Sequence, residues 1–193
     1  MEKQQYFTVV YSGPVGFIKP WFAGRDSKTY SQQFLTPSII EGMRQKLQVG
    51  GILRHKLTYA GFSLQREQTH PRGWDQLTKK KLMVRPRSIL DRGVLVNPKL
   101  VLAFASREDA ECAVRQHICL CRNEDVLLPE PEIRVMDAVR FDELPGYELR
   151  FGKRGEAGMF PVGFDRFSPE CEMRYGRIEI TGNPVNTAVA GCE

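Results

Sequence analysis

Cationic and aromatic side chains alternate along the segment from Lys19 to Tyr30. The cations are Lys19, Arg25 and Lys28, and the rings are Trp21, Phe22 and Tyr30. Lysine and arginine neutralise phosphates while flat rings accept unstacked bases, so this combination suits single-stranded RNA. The alternative is an ordered loop whose rings fill the core beneath solvated cations.

A second basic segment extends from Arg66 to Arg92. It holds eight basic side chains against three acidic ones, including the lysine run 79–81. Arg85 and Arg87 are two residues apart, so in a strand both would project from one face of a sheet. A surface that follows a phosphate backbone requires such repetition. The lysine run alone is more typical of a solvated turn.

Glycines surround two cations, Lys153 and Arg154, in the stretch from residue 150 to residue 164. Glycine permits positive φ angles and close backbone approach, so the amides and cations of this stretch could hold a phosphate chain. The GK[ST] and GxGxxG patterns are both absent, which excludes P-loop and dinucleotide sites. A mobile surface hairpin is the alternative interpretation.

Few residues are suited to catalysis. The histidines are His55, His70 and His117, and neither GxSxG nor HExxH occurs. Metal-independent RNA cleavage needs an acid and a base, for which Tyr30, His55 and Lys56 are the available types. Because His55 lies between Arg54 and Lys56 before a strand, we expect phosphate contact there rather than proton transfer.

The cysteines do not predict a metal site. Cys112, His117, Cys119 and Cys121 are close in sequence but lack the paired CxxC spacing of zinc sites. The five cysteines are an odd number without a secretion signal, so we expect reduced thiols, no metal and no cofactor. His117 falls on the apolar face of a predicted helix, where a core histidine is expected.

The charge is polarised along the chain. Residues 1–107 carry 18 basic and 6 acidic side chains, a net of +12, whereas residues 108–193 carry 10 and 17, a net of −7. This asymmetry suggests one part that faces a polyanion or an acidic partner and another that is repelled by it or contacts something else. The alternative is two ordinary solvated faces. The 41% hydrophobic content excludes a disordered chain. No signal peptide or membrane span is visible, so we expect a cytoplasmic protein.

The element order predicts an α+β fold. Strands are expected at residues 6–11, 56–64, 82–96, 99–105, 133–141, 147–151 and 173–180. Helices are expected after Thr36-Pro37 and after the cap at Ser106. The economical arrangement is a single ferredoxin-like (RRM-like) domain over residues 1–182, with an antiparallel sheet, two helices and a β-rich C-terminal extension. Residues 183–193 are expected to form a flexible tail.

The first sixty residues resemble the RAMP superfamily of CRISPR-associated proteins, in particular the small Cascade-type subunits that bind the 5′ end of guide RNA. The matching positions are Gly13, Pro14, Tyr30, Thr36, Pro37, Ser38, Glu41 and Gly42. The short chain favours the type IV variant. RAMP members that trim guide RNA pair their tyrosine with a Lys-His dyad, which has no counterpart in the corresponding region.

This resemblance implies a non-catalytic RNA-binding subunit that caps the 5′ handle of guide RNA. Its implied partners are guide RNA, the backbone and large subunits, and target DNA, without a membrane. The RNA-binding candidates are Lys19, Trp21, Arg25, Lys28, Tyr30, Arg44, Arg54, Lys56, Arg85, Arg87, Lys153 and Arg154. The alternatives are a guide-RNA-processing endoribonuclease that uses Tyr30 or His55, and a stand-alone RNA-binding protein.

Overall fold

The computed structural model describes residues 4–20, 27–69, 73–85, 87–164 and 171–186. Over these ranges the helices are α1 (Pro37–Leu47), α2 (Arg107–Ala113) and α3 (Ala138–Glu143). The strands are β1 (Gln5–Ser12), β2 (Val15–Gly16), β3 (Lys28–Tyr30), β4 (Arg54–Thr58), β5 (Gly61–Thr69), β6 (Asp75–Leu77), β7 (Leu82–Val84), β8 (Ser88–Val96), β9 (Lys99–Phe104), β10 (Ile118–Cys119), β11 (Val126–Pro129), β12 (Arg134–Asp137), β13 (Gly146–Gly152), β14 (Phe160–Phe164) and β15 (Met173–Thr181).

Nine of these strands form a main sheet, in the order β10-β11-β1-β9-β4-β13-β15-β14, with β12 also paired to β1. Its recorded strand pairs are antiparallel. The predicted α+β class with a mostly antiparallel sheet is therefore confirmed. Strand β4 lies in the interior of this sheet, with β9 and β13 as its neighbours.

The two faces of the main sheet are covered differently. On the first face, Met43 and Leu47 of α1 and Ala110 of α2 join a buried cluster with Val9 and Leu102. Alternate strand residues point the other way. On this second face, Tyr6, Ala103 and Phe141 form a smaller cluster, and Phe141 belongs to α3. Helices consequently occupy parts of both faces of the main sheet.

The second sheet, called the small sheet below, consists of β2, β3, β5 and β8. Strands β5 and β8 form a long antiparallel hairpin over nine residue pairs, and β3 runs parallel to β8. Arg122 fastens this hairpin to the main sheet: its guanidinium pairs with Glu67 of β5 and with the buried Asp125. The same guanidinium lies 5.6 Å from the ring centre of Phe17.

Two local predictions are corrected by these elements. The helix after Ser106 ends at Ala113, so His117 is exposed outside it instead of lying in the core. The chain turns after Ala113 because Ile118 pairs with Leu127 in β10 and β11. The strand expected at residues 133–141 ends at Asp137, whose carboxylate accepts the N–H of Arg140 and caps α3.

The start of the expected tail is anchored to the main sheet. The N–H of Tyr59 donates to the carbonyl of Pro184 over 3.1 Å, and the N–H of Asn186 donates to the carbonyl of Tyr59 over 2.9 Å. Residues 187–193 lie outside the described residues.

Candidate nucleic-acid interface

The ring of Tyr30 lies flat against the small sheet. Tyr30 ends β3 and pairs with Gly93 of the neighbouring strand β8. A Cβ placed on Gly93 would overlap Cδ1 of Tyr30, so the ring occupies the space that any other residue would fill. Nevertheless 45% of Tyr30 is exposed. A ring supported from below and open above is a stacking surface for an unpaired base.

Phe62 enlarges this surface and was not predicted from the sequence. Its ring meets Tyr30 edge-to-face, with centroids 5.7 Å apart and planes at 89°, and 41% of Phe62 is exposed. Below it, the Tyr59 ring lies 5.1 Å away and in turn stacks on Tyr147 at 6.0 Å. We call Tyr30 and Phe62, with Gly93 beneath Tyr30, the aromatic platform. The clue was the alternation of Phe62 and Leu64 with polar residues along β5, typical of a half-exposed strand.

Cations lie beside the aromatic platform. The Lys28 ammonium is 5.6 Å from the ring centre of Tyr30. Arg66 is farther along β5, largely exposed, with Nε 3.0 Å from the carboxylate of Asp91. Lys19 is exposed, while Trp21 and Arg25 lie outside the described residues. Of the predicted aromatic-basic loop, the structure therefore brings Lys28 and Tyr30 into contact.

A basic arm, residues 73–85 and Arg87, extends from the far end of the β5–β8 hairpin. The lysines of the run 79–81 are exposed there. The Arg85 guanidinium lies 4.6 Å from the ring centre of Trp74, which is 54% exposed. Arg85 and Arg87 are both exposed but not in one strand, because β7 ends at Val84 and β8 begins at Ser88. The prediction that both arginines project from one face of a strand was therefore wrong.

Arg44 is engaged within its own helix. Its Nη2 lies 2.6 Å from one carboxylate oxygen of Glu41, and its Nε lies 2.7 Å from the other. These hydrogen bonds and the nearby negative charge raise the pKa of Arg44 and lower that of Glu41. A phosphate at Arg44 would have to compete with the carboxylate of Glu41.

Arg54 and Lys56 are both buried, and α3 contacts Arg54, so the predicted contact with RNA is not open to these side chains. Glu148 of β13 accepts two hydrogen bonds from Arg54, at 2.6 and 2.7 Å, and its carboxylate lies 3.6 Å from the ammonium of Lys56. Asp142 of α3 binds Arg54 at 2.6 Å. Lys56 is 1% exposed and donates to Thr181 over 2.8 Å. Burial lowers the pKa of Lys56.

His55 is also buried, on the opposite face of β4. Its Nε2 accepts the backbone N–H groups of Leu35 and Leu149, each over 3.3 Å. Burial, assisted by the charges of Lys56 and Arg54, lowers the pKa of His55 to about 3. The side chain therefore stays neutral at physiological pH and joins two segments of the core. Neither the expected phosphate contact nor proton transfer to RNA is open to it here.

The remaining candidates lie away from the small sheet. Lys153 and Arg154 are exposed in the connection between β13 and β14. Cys112 and Cys121 are exposed free thiols, and the described residues contain no cluster of three or more potential metal ligands. Among the same residues, no helix is long and apolar enough to cross a membrane.

The chain was compared with known proteins and solved structures. Its sequence matches no family model and no curated protein. Its fold is similar to that of a chain in a solved structure described as "CRISPR RNA-guided surveillance complex", with a TM-score of 0.53 and 15% sequence identity. The match covers 93% of this chain and 91% of that chain. The similarity of fold therefore extends over nearly the whole length of both chains.

Proposed function

We propose that this chain is a non-catalytic RNA-binding subunit of a CRISPR effector ribonucleoprotein, where it caps the 5′ handle of the guide RNA. The observation that carries the proposal is the aromatic platform, a supported and exposed ring pair with Lys28 beside it. Bases of a single strand stack on such rings, while cations hold the phosphates between them. The basic arm supplies further cations along the same hairpin.

The fold supports this proposal independently. We assign a ferredoxin-like core of the RAMP superfamily to strands β1, β4, β9 and β12 with α1 and α2, because their order along the chain is β-α-β-β-α-β. In a common RNA-binding use of this core, the open sheet face receives the RNA. Here α3 and the buried ion pairs of Arg54 and Lys56 cover part of that face, so we assign RNA binding to the small sheet instead. The acidic surface of the C-terminal half is left for the backbone and large subunits.

The test compares binding of a labelled single-stranded guide RNA by the wild type and by the double variant Tyr30→Ala, Phe62→Ala. We expect about a tenfold loss of affinity, since one stacked base contributes about 1–3 kcal/mol. Phe164→Ala is the matched control, because Phe164 is 53% exposed on β14. Thermal unfolding of each variant reports whether the fold is retained.

Three further measurements distinguish the alternatives. A capping subunit binds RNA with a free 5′ end more tightly than RNA whose 5′ end is closed in a duplex. A single metal-independent cut that is lost in Tyr30→Phe would instead identify the guide-processing endoribonuclease. If the chain fails to copurify with guide RNA and partner subunits, it is a stand-alone RNA-binding protein. Unchanged RNA affinity in the double variant would overturn the role of the aromatic platform.

A further inference from the structure

The connection from β13 to β14 crosses the end of β15. Both strands pair antiparallel with β15, one on each side, so residues 153–159 have to pass over it. Two glycines of this connection, Gly155 and Gly158, have φ angles of +91° and +75°. These left-handed conformations let the chain reverse sharply and hold its first residues, Lys153 and Arg154, outside the sheet.

An open groove of about 730 Å³ lies between this connection and the first residues of β15. Three cations line it, namely Lys153, Arg154 and Arg174, together with the rings of Phe151 and Tyr175. The Arg174 guanidinium lies 5.8 Å from the ring centre of Phe151. Glu172 is the acidic residue of the lining. A groove that combines cations with the exposed ring of Phe151 and the half-buried ring of Tyr175 matches the chemistry of single-stranded nucleic acid.

Lys153 and Arg154 differ from Arg150 and Arg177 of the neighbouring strands. Arg150 and Arg177 are both paired with Glu179, at 3.0 and 2.7 Å, so their charge is largely compensated within the sheet. Within the described residues, neither Lys153 nor Arg154 forms an ion pair, and both are exposed. Their charge therefore remains available for a phosphate.

The groove is remote from the aromatic platform. The platform reaches β13 through Tyr59, which stacks on Tyr147, and Tyr147 is paired with Ile180 of β15. Arg174 stands six residues before Ile180, which in a strand corresponds to about 20 Å. A nucleotide stacked on the platform cannot touch the groove at the same time.

We propose that this groove is a second binding site for single-stranded nucleic acid, distinct from the aromatic platform. Lys153 and Arg154 contact the phosphates, and Phe151 and Tyr175 contact the bases. Either a distant part of the same RNA or a separate DNA strand has this chemistry. The groove is built from residues that the platform does not use, so binding at the groove does not depend on the proposed function.

The test measures the stoichiometry and affinity of di- and trinucleotides, which are too short to span the roughly 20 Å between the two sites. The wild type should bind two per chain. The variant Lys153→Glu, Arg154→Glu should bind one, with at least about a tenfold loss of affinity at the other site. The matched control, Arg107→Glu, Arg115→Glu, makes the same change of charge at exposed positions near α2 and should still bind two.

The outcomes separate this inference from the proposed function. Loss of the second oligonucleotide in the groove variant, with the first retained, supports the groove. Loss of one bound oligonucleotide in the Tyr30→Ala, Phe62→Ala variant reports on the aromatic platform alone. Equal RNA and DNA affinities at the groove indicate a site open to target DNA, while a preference for RNA assigns it to a distant guide segment. A wild type that binds one oligonucleotide, or a groove variant that still binds two, would overturn the second site.

Discussion

His55 shows how far the environment of one side chain can depart from what its neighbours in sequence suggest. Between Arg54 and Lys56 it reads as part of a phosphate-binding triplet. In the fold the three side chains alternate across β4, so the two cations meet Glu148 on one face and the imidazole meets two backbone N–H groups on the other. The partners Leu149 and Glu148 are more than ninety residues away, so the local sequence does not predict these contacts.

The neutral imidazole of His55 predicts a specific pH dependence of stability. Its pKa falls from 6.5 to about 3 on folding, so protonation favours the unfolded chain. Its contribution to the free energy of unfolding is complete above pH 6.5 and is lost progressively as the pH falls toward 3. From pH 7.5 to pH 5, the wild type should lose about 2 kcal/mol more than His55→Gln, which cannot titrate.

Urea unfolding at both pH values measures this difference. His117→Gln is the control, since it removes an exposed imidazole and leaves the buried one in place. If His55→Gln and the wild type lose stability in parallel, the imidazole is not buried in its neutral form.

Among the elements, the capped strand-helix unit at β9 and α2 and the helix that starts at Pro37 were predictable from sequence. Ser106 accepts the N–H of Asp109, and Pro37 occupies the first turn, so local chemistry alone sets where both helices begin. The β5–β8 hairpin was not fully predictable. Its polar residues, such as Gln65 and Glu67, are typical of a loop in sequence. In the structure they belong to a strand, where Arg92 and Arg122 pair with Glu67.

The aromatic platform depends on the missing side chain of Gly93. Gly93→Ala introduces a Cβ into the space of the Tyr30 ring, so the ring must move and its stacking surface is lost. We expect RNA affinity to fall about tenfold, close to the effect of Tyr30→Ala. The measurement is fluorescence anisotropy with a labelled single-stranded RNA.

Gly61→Ala provides the comparison for this effect, because Gly61 is in the paired strand β5 and has open space around the position of a Cβ. It should bind RNA like the wild type. Combining Gly93→Ala with Tyr30→Ala should cause no further loss, since both changes remove the same contact. Additive losses in the double variant would mean that Gly93 acts on something other than Tyr30.

For the whole molecule, the division of charge along the sequence is best understood as a division between surfaces. The lysines of the run 79–81 belong to the basic arm, whereas Arg54 and Lys56, equally basic in sequence, are neutralised inside the main sheet. Lys153 and Arg154 lie in the acidic half but remain exposed and cationic. The charge pattern suggested a polyanion or an acidic partner, but it could not separate cations that reach solvent from cations that stabilise the core.

This division predicts which cations set the salt dependence of RNA binding. Each phosphate neutralised on a single strand adds about 0.7 to the slope of log affinity against log salt concentration. Changing all three lysines of the run 79–81 to Gln should therefore lower the slope by about 2 if each contacts a phosphate. The triple change Lys46→Gln, Arg107→Gln, Arg115→Gln removes the same charge from exposed positions in and near α1 and α2 and should leave the slope unchanged. Equal slopes for the two triple variants would mean that RNA responds to net charge and not to the basic arm.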